Sequence, residues 1–153
     1  MKKPLLWFGM VLFWLSWPVL WLYLRRSNRT RLLLVAEDKF LALRGWLGGM
    51  ELSMPGGGIH HGEAPAIALL REVKEEIGLE LQETQLRHAF SEEYRQYGLH
   101  FGYDCFVVVL PKKPDVILQR KEIAESAWLP LDTPVEGLGP ELRAALAWWK
   151  SKG

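Results

Sequence analysis

Cysteine is nearly missing from this sequence. Cys105 is the single one among 153 residues, so no disulfide can form within the chain, a usage that suits a reducing compartment. Acidic residues are missing from the beginning: none precedes Thr30, whereas five basic residues do (Lys2, Lys3, Arg25, Arg26 and Arg29). The remainder carries 14 basic against 18 acidic residues, a net −4 hidden beneath the overall +1. A body of that sign does not attract a polyanion, so no specific nucleic-acid binding is expected. The sequence has no internal repeat and nothing of low complexity beyond its Trp- and Leu-rich start. Its length allows one domain with a sizeable core plus an appendage, and it carries no marker of an oligomeric state.

Charge of either sign is missing from Pro4 to Leu24, 21 residues that include Trp7, Trp14, Trp17 and Trp21. As a helix this stretch would reach about 31 Å, the thickness of a bilayer's hydrocarbon core. It reads as one transmembrane helix, which makes 1–29 an anchor with a basic juxtamembrane segment and leaves 30–153 as the folded domain. A cleaved signal peptide has a shorter apolar stretch and ends at small residues, whereas this one runs into Leu24-Arg25-Arg26. A buried core helix is the other alternative, disfavoured because the rest of the chain supplies a domain without it. Arg25, Arg26, Arg29 and Arg31 follow the stretch, against Lys2, Lys3 and the amino terminus before it. That bias favours a domain facing the cytoplasm and a lipid contact through residues 4–24.

The densest chemistry lies from Gly57 to Leu79, GGIHHGEAPAIALLREVKEEIGL. At about 100° per residue, Glu72, Glu75 and Glu76 share one stripe of a helix, beside an apolar stripe of Ala66, Leu69, Leu70, Val73 and Ile77. Like charges three and four residues apart destabilise a helix by a few tenths of a kcal/mol per pair, so folding alone does not ask for them. A hard divalent cation, which takes oxygen ligands, turns that cost into binding. Pro55 and the glycines Gly56, Gly57 and Gly58 supply backbone without Cβ atoms, able to approach a ligand closely. Pro65 suits the first helical turn and Gly78 the C-cap. Arg71 precedes the carboxylates and is placed to pair with Glu75 one turn on.

Gly57, Glu63, Arg71, Glu72, Val73, Glu75, Glu76, Gly78 and Leu79 resemble the signature of the Nudix hydrolases at all nine places, without departure. The resemblance implies an α/β fold, an α/β/α sandwich with a mixed sheet. It also implies metal-dependent hydrolysis, with Mg²⁺ or Mn²⁺, of a nucleoside diphosphate linked to another moiety. Carried over by position, Glu75 and Glu76 hold the ions, the Gly56 carbonyl joins them, and Glu72 is a metal ligand or the base, oriented by Arg71. Glu63 is either a further ligand or a helix-terminus carboxylate. Many relatives add a carboxylate from a distant loop, for which Glu122 is the first candidate and Glu125 the second. Gly57 and Gly58 would face the substrate, and Tyr97 stands where relatives that cleave dinucleoside polyphosphates often carry a tyrosine.

His60 and His61 sit within the loop, but adjacent residues rarely ligate one ion, so solvent-exposed side chains are expected. His88 and His100 lack metal spacing and default to structural roles. Strands are expected over Arg31–Glu37, Phe40–Arg44, Leu86–Tyr94, His100–Leu110 and Ala127–Leu129, and a helix over Pro140–Lys150 with Leu142, Leu146 and Trp149 on one side. Two other functions stay open: a membrane-tethered nucleotide-binding regulatory module without turnover, and an enzyme for a lipid-linked diphosphate.

Overall fold

The structure, a computed structural model, describes residues 28–46, 51–96 and 99–152. Strands β1 (Arg29–Ala36) and β2 (Lys39–Gly45) form the expected hairpin. Its two linking residues, Glu37 and Asp38, take left-handed φ of 50° and 58°, the conformation a two-residue turn needs to match strand twist. Helix α1 (Pro65–Ile77) follows, then a 3₁₀ turn at Glu83–Gln85, β3 (Arg87–Gln96), β4 (Leu99–Leu110), β5 (Ile123–Pro130) and α2 (Pro140–Lys150). The strands align in the order β3-β4-β1-β2-β5. With β4 parallel to β1 and the other pairs antiparallel, the sheet is mixed, as expected.

β1 is the centre of this sheet, buried without interruption from Thr30 to Ala36, which is how a strand covered on both faces reads. Leu32 and Leu34 point to one face with Leu41, Leu43, Phe106 and Val108, where Leu69, Val73 and Ile77 of α1 pack. Leu33 and Val35 point to the other with Phe40, Tyr103, Cys105 and Val107, where Leu142, Ala145 and Leu146 of α2 pack. Pro65 occupies the start of α1, and Gly78 ends it at φ 67°, its N-H donating to Lys74 O at 3.0 Å.

β1 and β2 pair only at Val35↔Phe40 and Ala36↔Lys39, and the loop before α1 is stitched in beside them. Thr30 donates to Gly57 O and Leu32 to Pro55 O, each at 2.9 Å, while Leu43 and Ser53 exchange both backbone bonds on the β2 side. The glycine run is therefore held along the central strand as an extra rung of the sheet.

Two boundaries differ from the sequence reading in an informative way. β1 begins at Arg29 rather than Arg31, and Arg31 is 6% exposed within the sheet. β5 includes the expected Ala127–Leu129 and extends back to Ile123, because an edge strand pairs on one side only and tolerates Glu125 and Ser126. The stretch 4–24 lies outside the described residues, among which no helix is long and apolar enough to cross a membrane.

Leu69 carries the docking of α1, being fully buried against the sheet. Leu69→Ala should cost about 2–5 kcal/mol in urea unfolding, whereas Ile117→Ser, at a side chain 77% exposed, should shift the midpoint by no more than about 0.5 kcal/mol.

Candidate functional site

α1 buries its apolar stripe and turns its carboxylates toward the glycine loop. Glu76 reaches furthest in: its Oε2 accepts the Gly56 N-H at 2.8 Å. Burial pushes its carboxyl up to about 7, with the charges of Glu72 and Glu122 adding, against the Gly56 hydrogen bond and Arg31, which hold it down. No basic side chain forms an ion pair with it among the described residues. A desolvated carboxylate without a positive partner is costly, and a cation at this place removes the cost.

Arg71 organises the loop side. Its Nε and Nη2 fork onto the two oxygens of Glu63, both at 3.1 Å; Nη1 donates to Glu72 Oε1 at 2.8 Å and Nη2 to Gly58 O at 3.0 Å. Glu63 also accepts the His60 N-H at 2.9 Å. Arg71 first and that backbone donor second hold its carboxyl down at about 2. The pairing expected with Glu75 is only a 3.8 Å approach, with Glu75 54% exposed; Glu63 and Glu72 take the guanidinium because they approach it closely.

The loop is pressed against the helix. A Cβ on Gly57 would lie 2.3 Å from Cδ of Glu72, and one on Gly56, at φ 131°, would lie 2.2 Å from Thr30 O. Only glycine fits at Gly56, whereas a side chain at Gly57 would displace the carboxylate of Glu72, which rests directly on loop backbone.

The distant candidates separate cleanly. Glu125 is spent on Arg44 Nε at 2.8 Å, whereas Glu122 is exposed and its charge is felt at Glu76. His60 and His61 are exposed, as expected. His88 lies against Ser91 and Asp104, and His100 lies 3.1 Å from Glu93; both are surface contacts on β3 and β4. Tyr97 lies outside the described residues. Its neighbour Tyr94 stacks on Phe101 with ring centroids 4.6 Å apart.

The sequence reading missed Arg31 and Glu141. Arg31 lies in β1 and Glu141 in the first turn of α2, both buried, joined Nε to Oε1 at 2.9 Å. Arg31 Nη1 goes on to donate to Gly56 O at 2.7 Å. The one available signal was an arginine within an aliphatic strand.

The donor set of Glu72, Glu75, Glu76, Glu122 and the Gly56 carbonyl is all oxygen, which fits Mg²⁺ or Mn²⁺ rather than a softer metal. Among the described residues no three His, Cys, Asp or Glu side chains yet converge as a ligand cluster: Arg71 draws Glu63 and Glu72 to itself, and Glu75 stands out in solvent. The fit rests on the charge and burial of Glu76 and on the backbone cradle around Glu72.

Comparison with known proteins gives the same answer from another direction. The model of the NUDIX domain matches residues 18–149. A MutT NUDIX hydrolase from Burkholderia pseudomallei superposes with a TM-score of 0.71 at 17% identity, over 80% of this chain and 96% of that one. The E. coli dihydroneopterin triphosphate pyrophosphohydrolase gives 0.70 at 18% identity, over 82% of this chain and 96% of its own. A C. elegans Ap4A hydrolase in a binary complex gives 0.68 at 20% identity, over 82% and 96%. No curated protein matches by sequence. With the family model spanning most of the sequence and its motif intact on α1, this chain belongs to the Nudix family.

Proposed function

We propose that the chain is a pyrophosphohydrolase that uses Mg²⁺ or Mn²⁺ to cleave the diphosphate linkage of a nucleoside diphosphate derivative. The observation that carries this reading is Glu76, a half-buried carboxylate bonded to the Gly56 amide and in no ion pair among the described residues. Glu76 and Glu75 would hold the cation from α1, with the Gly56 carbonyl and Glu122 as further oxygen donors. When bound there, the ion neutralises phosphate charge, lowers the pKa of its water and aligns that water with phosphorus. Glu72 is the base. Arg71 occupies its Oε1, leaving Oε2 to accept the proton as water oxygen bonds to phosphorus and the bridging P-O bond breaks. Arg71 fixes that rotamer, and Glu63 in turn fixes Arg71. Gly57 and Gly58 let the phosphates approach the backbone.

The names of two similar structures, an Ap4A hydrolase and a dihydroneopterin triphosphate pyrophosphohydrolase, both concern phosphoanhydrides joined to a larger group. That supports the substrate class and leaves the second moiety to be found by assaying the full chain against dinucleoside polyphosphates, nucleotide sugars and nucleoside triphosphates. The proposal includes a membrane anchor at 4–24 and a cytoplasmic domain. The cytoplasmic placement rests on the basic residues that follow the apolar stretch.

Two substitutions test the chemistry. Glu76→Gln keeps the shape and removes the charge, so metal-dependent turnover should vanish while far-UV circular dichroism stays unchanged; undiminished turnover refutes the assigned role. Gly57→Ala drives a methyl into the Glu72 carboxylate, and kcat should fall by about 10²-fold through misplacement of the base. Retention of wild-type kcat there would show that the base lies elsewhere.

A further inference from the structure

We propose that Arg31 is a positioning residue for the cation site: anchored by Glu141, it fixes the carbonyl of Gly56, the residue whose N-H is held by Glu76 of α1. The role rests on the functional reading above and adds to it the group that sets the loop. Gly56 joins two peptide units, and each is gripped by a charged side chain. Its N-H, in the unit shared with Pro55, donates to Glu76 Oε2 at 2.8 Å. Its carbonyl, in the unit shared with Gly57, accepts from Arg31 Nη1 at 2.7 Å. Arg31 comes from one face of the sheet, paired with α2, and Glu76 from the other, on α1.

A run of three glycines needs such a grip. Gly56 sits at φ 131°, where glycine moves between wells at little cost, and the backbone bonds to β1 reach only its neighbours, Pro55 and Gly57. The Gly56 carbonyl would otherwise be free to turn. Arg31 can hold it because its own Cα is locked in β1 opposite Cys105 and because a guanidinium donates in two directions at once. Nε is committed to Glu141 at 2.9 Å while Nη1 points to the loop.

Glu141 does more than hold. An unneutralised guanidinium beside a cation-binding carbonyl would repel the ion, and Glu141 cancels that charge within the interior. Stability does not explain the pair, since apolar residues of similar volume commonly replace a buried ion pair without loss. A carbonyl oxygen has two lone pairs, so the one given to Arg31 leaves the other for a metal.

The test is Mn²⁺ uptake by the full-length protein without substrate, measured by titration calorimetry. The double variant Arg31→Met/Glu141→Leu should keep the wild-type urea midpoint yet bind Mn²⁺ about 10- to 100-fold more weakly, as loss of an outer partner of a metal site does. Its turnover should recover toward wild type at saturating Mn²⁺. Arg31→Lys, which keeps the charge on Glu141 but cannot fork, guards against a double variant that fails to fold, and should also weaken Mn²⁺ binding. Unchanged Mn²⁺ affinity in a folded variant, with normal uptake by the wild type, overturns this role alone. A wild-type protein that takes up no Mn²⁺ overturns the functional reading along with it.

Discussion

A carboxylate taken out of water has to be matched by something, and the arrangement around Glu76 follows from that constraint. Its side chain leaves α1 at the place where the loop runs along β1, and its one hydrogen bond is to a backbone N-H. Burial, only partly offset by that amide and by Arg31, pushes its carboxyl up to about 7. Glu72 and Glu122 push the same way. A divalent cation bound there would offset these unfavourable terms together.

Two arginines divide the remaining work by face. Arg71 lies on the loop side of α1, where Glu63, Glu72 and Gly58 O take three separate edges of its guanidinium. Arg31 lies beneath the sheet and ties α2 to the glycine loop. A lysine in either place would offer one point of charge instead of a planar fork, and the partners of each arginine lie in different directions. The loop between them has no side chains with which to hold itself. Its conformation is imposed by β1, by Glu76 and by these two guanidiniums.

What the sequence disclosed follows from range. α1 was legible down to its proline start and its glycine stop, because apolar period, caps and charge stripe all lie within 23 consecutive residues. The two-sided burial of β1 was legible in its run of leucines, and the helix Pro140–Lys150 in its apolar spacing. Contacts between distant positions were not. Arg31 and Glu141 are separated by 110 positions, and an arginine before three leucines reads equally well as the last charge beside a membrane segment. The choice between Glu122 and Glu125 depended on β5 starting four residues early, which sets Glu125 opposite Arg44 in the β2 pairing. The pairing of Arg71 with Glu75 was reasoned from helical spacing alone, and spacing carries no information about a carboxylate arriving from the loop.

Glu63 shows how such an arrangement lowers its own cost. It lies before the first residue of α1, where negative charge meets the helix dipole, and its two oxygens are filled by Arg71 and the His60 amide. That saturation holds its carboxyl low, at about 2, so it stays ionised and keeps its grip on Arg71. The contrast with Glu76, pushed the other way near the end of α1, comes from burial and donors rather than from residue type: Glu63 has several donors, whereas Glu76 is desolvated with a single amide. A carboxylate already saturated by donors has little left to offer a cation. The division of labour on this motif therefore follows burial and hydrogen-bond supply together, with Glu63 holding Arg71 and Glu76 left in need of charge.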